Sequence, residues 1–237
     1  MSRALHDVIF DGVDLSDYCA MVIAGNAYDA PERVYNMVSV PGRNGDLLID
    51  RGRYANIMLD YTVIIRRDVP DMAARLRSFL LTRIGYKRLE DSVHPDEFYS
   101  AVYRGGLESN LGTLDAARYK LTFERKPQRW LKSGEAARSF TAAGVLVNPE
   151  ETEAKPLIRV YGNGTVTVGG TSCTVASNPG YVDIDCELQD AFMGAVNCNN
   201  KLTLPGGEFP VLGPGENAVA LGYGITRVEI TPRWWRL

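Results

Sequence analysis

Histidine and cysteine are scarce in this chain. Of its 237 residues only two are histidine, His6 and His94, and four are cysteine. A protein metal centre draws three or four converging ligands, usually at close spacing in the chain. Neither histidine has such a neighbour, and Cys19, Cys173, Cys186 and Cys198 form no C-x-x-C pair. The same shortage argues against a histidine-dependent nucleophile, and no Gly-x-Ser-x-Gly elbow occurs. No catalytic group, metal site or cofactor motif emerges, so the chain is expected not to be an enzyme. In a reducing compartment its cysteines are expected to be free, mostly buried thiols.

Long apolar runs are missing too. Nothing approaches the roughly 20 apolar residues of a membrane span, and Met1 to Asp7 lacks the apolar core of a secretion signal. The expectation is a protein made in a cytoplasm that leaves it, if at all, by a route such as cell lysis. A net charge of -3 offers no global attraction to nucleic acid or to an anionic membrane.

What the chain has is turn chemistry. Glycine (23) and proline (12) separate short runs of β-branched residues, the texture of many strands joined by tight turns. Val8 to Val13 flank a turn at Asp11-Gly12, and Cys19 to Ile23 reads as a strand. Val34 to Val40 meets Pro41-Gly42-Arg43-Asn44-Gly45-Asp46, after which Leu47-Leu48-Ile49 resumes. A Pro-Gly and an Asn-Gly between two apolar runs form a strong hairpin signal, because Gly and Asn tolerate positive φ. Ile57 to Ile65 alternates with five apolar residues on one face. Only one segment has helical spacing: Met72, Leu76, Phe79 and Leu80, with Pro70 and Asp71 in the first turn and Gly85 past the end. Strands return at Tyr86 to Leu89, Phe98 to Tyr103 and Arg118 to Phe123.

The texture changes between Pro127 and Pro156, which divides the chain into residues 1–133 and 134–237. In the second part, short strands from Ala137 to Ile230 alternate with Gly and Pro turns, the pattern of a β-sandwich. Gly162-Asn163-Gly164 reads as a hairpin turn, with neither the spacing nor the following helix of a phosphate loop. Asp183, Asp185 and Glu187 share one strand face and could suit a calcium site or a glycosidase pair. The simpler expectation is a wet face opposite Val182, Ile184 and Cys186. Arg125, Lys126, Arg129 and Lys132, with Trp130, read as a solvated domain edge or a protein interface. Of Trp234 and Trp235, one is expected to face the core and the other an interface or, in a rival reading, a sugar ring.

The run Val38-Ser39-Val40-Pro41-Gly42-Arg43-Asn44-Gly45-Asp46 resembles the V-P-G-R-N-G-D block of the distal tail proteins of long-tailed phages, the siphophage tail-component family. Further elements agree in order: Gly85-Tyr86 with Leu89 and Asp91, Pro95 with Phe98-Tyr99, and Phe123-Glu124-Arg125-Lys126-Pro127. So do Lys155-Pro156-Leu157-Ile158 with Gly162-Asn163-Gly164, Pro214-Gly215-Glu216-Asn217, and Ile230-Thr231-Pro232-Arg233-Trp234. The resemblance implies a mainly β fold: an N-terminal domain with one helix and a protruding hairpin, and a C-terminal galectin-like sandwich. It implies a hexameric ring at the virion's tail tip, assembled in the host cytoplasm, between the tail tube protein and the tail-tip hub protein. Arg43, Asn44, Gly45 and Asp46 with Trp234 and Trp235 would serve its interfaces. The alternative is a carbohydrate-binding module for adsorption to the host surface. Some relatives carry inserted sugar-binding modules, and this chain is too short to hold one.

Overall fold

The computed structural model describes residues 7–25, 29–113, 115–177 and 180–237; His6 and the N-terminal segment read above lie outside them. By their contacts these residues fall into two compact units, one running to Arg129 and including Leu237, the other Trp130–Arg236.

The first unit is built on one antiparallel sheet. In spatial order its strands are Val13–Asp14, Val8–Phe10, Lys87–Asp91, Glu97–Tyr103, Ala117–Leu131, Ile57–Ile65 and Ala20–Gly25, and Glu108–Gly112 also pairs with Ala117–Leu131. Strict alternation drives this arrangement. Ile57, Leu59, Tyr61, Val63 and Ile65 are all buried, while the residues between them are not, as the period of two in a pleated strand requires. The one α-helix among the described residues, Val69–Thr82, covers the buried face with Val69, Ala73, Leu76, Phe79 and Leu80. Those positions trace a single stripe at 3.6 residues per turn. Pro70 sits in the first turn, where its missing N–H costs no hydrogen bond. Phe10, Phe79 and Phe123 meet edge to face at the centre, joined by Tyr61 and Tyr103.

The second unit is a two-sheet sandwich. One sheet orders Arg138–Phe140, Ile225–Thr231, Leu157–Gly162, Val182–Asp185, Asp190–Met193 and Val196–Asn197. The other orders Gly144–Asn148, Gly215–Leu221, Gly164–Val168, Thr171–Val175 and Leu202–Thr203. Ile158, Val160, Ile184 and Val228 of the first face Val166, Val168, Cys173 and Val219 of the second in one core. Gly169-Gly170 turns a true hairpin with φ of +57° and +85°.

Gly162-Asn163-Gly164 does not form the hairpin expected of it. Leu157–Gly162 pairs within one sheet and Gly164–Val168 within the other, so this turn carries the chain between sheets. Its glycines are needed for close approach: a Cβ on Gly162 would lie 2.2 Å from the Gly224 carbonyl, and one on Gly164 2.3 Å from that of Tyr223. The cysteines are free, three of them buried.

Candidate functional site

A two-stranded hairpin stands apart from both cores. Arg33–Val38 pairs with Leu47–Tyr54 and, among the described residues, with no other strand. The turn between them uses positive φ at Gly42 (+79°) and Gly45 (+80°), and Arg43, Asn44, Gly45 and Asp46 are all exposed at its tip. The Arg43 N–H closes the turn by donating to the Val40 carbonyl at 3.1 Å. Either glycine has open space where a Cβ would go, so backbone conformation, not crowding, calls for glycine here.

The apolar residues of this arm face water. Met37 is 60% exposed and Leu48 52%, and Tyr35, Val38, Val40, Leu47 and Ile49 are exposed as well. Residues opposite each other in the ladder share a face. The register Met37↔Leu48 and Tyr35↔Asp50 places Tyr35, Met37 and Leu48 on one side. The pairs Val38↔Leu47 and Asn36↔Ile49 place three more apolar side chains on the other. Both faces are therefore apolar. An isolated hairpin is marginal in water, and an exposed apolar cluster rimmed by charge marks an interaction surface.

Polar contacts stiffen the arm and fix its root. Arg33 bridges to Asp50 through Nε at 2.8 Å and through Nη2, and donates to the Tyr54 hydroxyl at 3.1 Å. The guanidinium and the Gly52 N–H hold the Asp50 carboxyl below its usual range. At the root, the Ala55 N–H donates to the Glu32 carbonyl at 2.8 Å. Arg125 donates to the Asp29 carbonyl at 2.9 Å, and Asn56 donates to Tyr86 Oη and Glu124 Oε1 at 2.9 and 2.8 Å.

Other residues singled out from sequence fall elsewhere. Asp183 and Asp185 are not a wet face: both are buried, at 4% exposure. Arg159 grips Asp183 at 2.7 and 2.9 Å, and Arg233 grips Asp185 at 2.8 Å through each nitrogen. Burial pushes the Asp185 pKa up, but the hydrogen bonds from Arg233 and from two backbone N–H groups outweigh it and leave the carboxyl below its ordinary range. Glu187 lies in the following turn, beside Lys155. Asp183 and Asp185 are committed to arginines, which disfavours their use as a general acid–base pair. Arg125 is likewise not a solvated edge, being 2% exposed over the Tyr99 ring, and Arg129 is paired with Glu97.

Trp234 is 5% exposed within the second core. Trp235 is half-buried, its indole N–H donating to the Glu153 carbonyl at 2.9 Å. A buried Trp234 offers no stacking platform for a sugar. His94 lies beside Asp91 and the Tyr99 hydroxyl, with Asp91 itself accepting from Tyr61 Oη at 2.8 Å.

The second apolar face of the arm went unread from sequence, yet a signal for it exists. Leu47-Leu48-Ile49 places three apolar residues in succession on a strand, and a strand with a period of two cannot hide three in succession on one side.

No protein-family model matches the chain, and no curated protein does. Among solved structures it is similar to the crystal structure of the Dit protein of phage SPP1, described as a paradigm of the hub adsorption apparatus in phages that infect Gram-positive bacteria. The TM-score is 0.77 at 17% identity, over 98% of this chain and 100% of that one. At this identity the likeness is one of fold.

Proposed function

We propose that this chain is a non-enzymatic distal tail protein of a long-tailed phage or prophage. Six copies form a ring at the tail tip, joining the tail tube protein to the tail-tip hub protein. The observation that carries this reading is the end-to-end likeness in fold to the phage Dit protein, at a TM-score of 0.77 over 98% of this chain and 100% of that one. The exposed arm supports it, since apolar side chains on both faces of a hairpin need covering that the described residues do not supply. Cyclic rings close through heterologous contacts, in which one patch of a subunit meets a different patch of the next. A projecting arm suits such a contact.

Electron microscopy of the purified protein, alone and mixed with tail tube protein, tests the reading. The expected images are six-fold rings that stack on the end of the tube. A protein that stays monomeric in both samples contradicts it.

A further inference from the structure

In the second unit, the face of the six-stranded sheet turned away from the core carries a hydrogen-bonded network that assembly through the arm leaves unused. The pairing of Leu157–Gly162 with Ile225–Thr231 sets Arg159 opposite Glu229 and Tyr161 opposite Arg227, and Asp183 lies opposite Arg159 on its other side. Side chains opposite each other in a ladder share a face, so these five stand together. Arg159 grips Asp183, the Tyr161 hydroxyl donates to Glu229 at 3.4 Å, and Arg227 pairs with Glu229 at 3.3 Å. Each guanidinium also lies over a tyrosine ring, Arg227 over Tyr161 at 4.0 Å and Arg159 over Tyr181 at 4.3 Å. Stacking and pairing hold both forks in place, yet the Arg159 and Arg227 side chains stay 38% and 43% exposed. The strand Ile225–Thr231 begins at a rigid turn. The Gly222 N–H donates to the Thr165 carbonyl at 2.8 Å, and the Asn163 N–H donates to that of Gly224 at 3.0 Å. A Cβ on Gly222 or Gly224 would lie 2.6 or 2.2 Å from a backbone oxygen. Tyr223, between those glycines, is fully exposed.

We propose that this face of the second unit binds an oligosaccharide, a neutral ligand rich in hydroxyl groups. The charges decide the class. Two guanidiniums alternate with two carboxylates, so a phosphate or carboxylate ligand would meet Asp183 and Glu229, and a cation would meet the arginines. A hydroxyl is donor and acceptor at once. It can give its proton to a Glu229 oxygen and accept from an Arg159 or Arg227 N–H, because a guanidinium has five N–H groups, more than one carboxylate occupies. Each such bond extends a network already polarised along its length. The C–H face of a sugar ring is apolar and stacks on an aromatic ring. Tyr223 offers that ring at the end of the same strand, on a backbone so constrained that little freedom is lost on binding. The site goes beyond the ring reading and does not depend on it. It also lies apart from Trp234, which is buried in the core.

An array of defined glycans, neutral and acidic, probed with the labelled full-length protein tests this. Binding is expected on neutral glycans, with their sulfated or phosphorylated counterparts weaker by about tenfold. Tyr223→Ala and Glu229→Gln are each expected to weaken binding by at least about fivefold. The exposed Tyr223→Ala is expected to leave the melting temperature within about 2 °C of the natural protein, which separates lost binding from lost folding. Tyr223→Phe keeps the ring and is expected to retain binding to within about twofold. Three results overturn the proposal: no glycan bound, acidic glycans bound as well as or better than neutral ones, or neutral binding that survives Tyr223→Ala or Glu229→Gln unchanged. Any of these leaves the ring reading in place, since electron microscopy of the assembly judges that separately.

Discussion

Arg125 shows how much one side chain can organise. Its guanidinium is buried over the Tyr99 ring and donates to three backbone carbonyls, those of Asp29, Lys126 and Pro127. Removing it leaves part-buried acceptors without donors, which costs more than the hydrogen bonds themselves contribute. Arg125→Met is expected to destabilise the first unit by about 2–4 kcal/mol in urea unfolding. Arg125→Lys is expected to recover little of that loss, since an ammonium cannot span three carbonyls as the planar fork does. A loss below about 1 kcal/mol would remove Arg125 from this role. Asp185 gives a prediction in pH. Its folded pKa is depressed, so its contribution is complete above the unfolded value near 4 and fades as pH falls through the folded one. Asp185→Asn is expected to flatten the acid limb of stability against pH and to cost roughly 2–4 kcal/mol at neutral pH. Both residues were misplaced by local sequence. Asp183 and Asp185 alternate with Val182 and Ile184 just as solvent-facing residues do. Their arginines come from a neighbouring strand, at Arg159, and from Arg233, 48 residues further along. Local alternation cannot report a partner so far away.

At the scale of elements, the arm is separable from the core beneath it. Glu32 and Ala55 are joined by a backbone hydrogen bond of 2.8 Å, so the chain can be closed across the root. Replacing residues 33–54 with a short glycine linker is expected to leave the melting temperature within about 4 °C of the natural protein while abolishing assembly. Differential scanning calorimetry with native mass measurement checks both halves, and a large fall in melting temperature would mean that the arm is part of the core. Much at this scale was legible. The strand Ile57–Ile65, the helix Val69–Thr82 and the hairpin about Arg43-Asn44-Gly45-Asp46 follow from periodicity and turn residues, because each is dictated within its own segment. Gly162-Asn163-Gly164 was read as a hairpin because a crossover between sheets uses the same residues as a hairpin turn. Only the pairing of Leu157–Gly162 with Ile225–Thr231, and of Gly164–Val168 with Gly215–Leu221, tells them apart, and both are long-range.

For the whole molecule, the two units divide the evidence for function unequally. In the second unit the side chains that stood out in the sequence are spent internally: Asp183 and Asp185 hold arginines, and Trp234 fills its core. The first unit carries an arm whose apolar side chains are exposed on both faces. In the proposed reading, assembly is the activity these features serve. Native mass spectrometry of the full-length protein measures that directly. A dominant species of six copies of the 26.1 kDa chain is predicted, falling to a single copy when residues 33–54 are replaced. A natural protein and an arm-deleted variant that give the same mass would contradict the account.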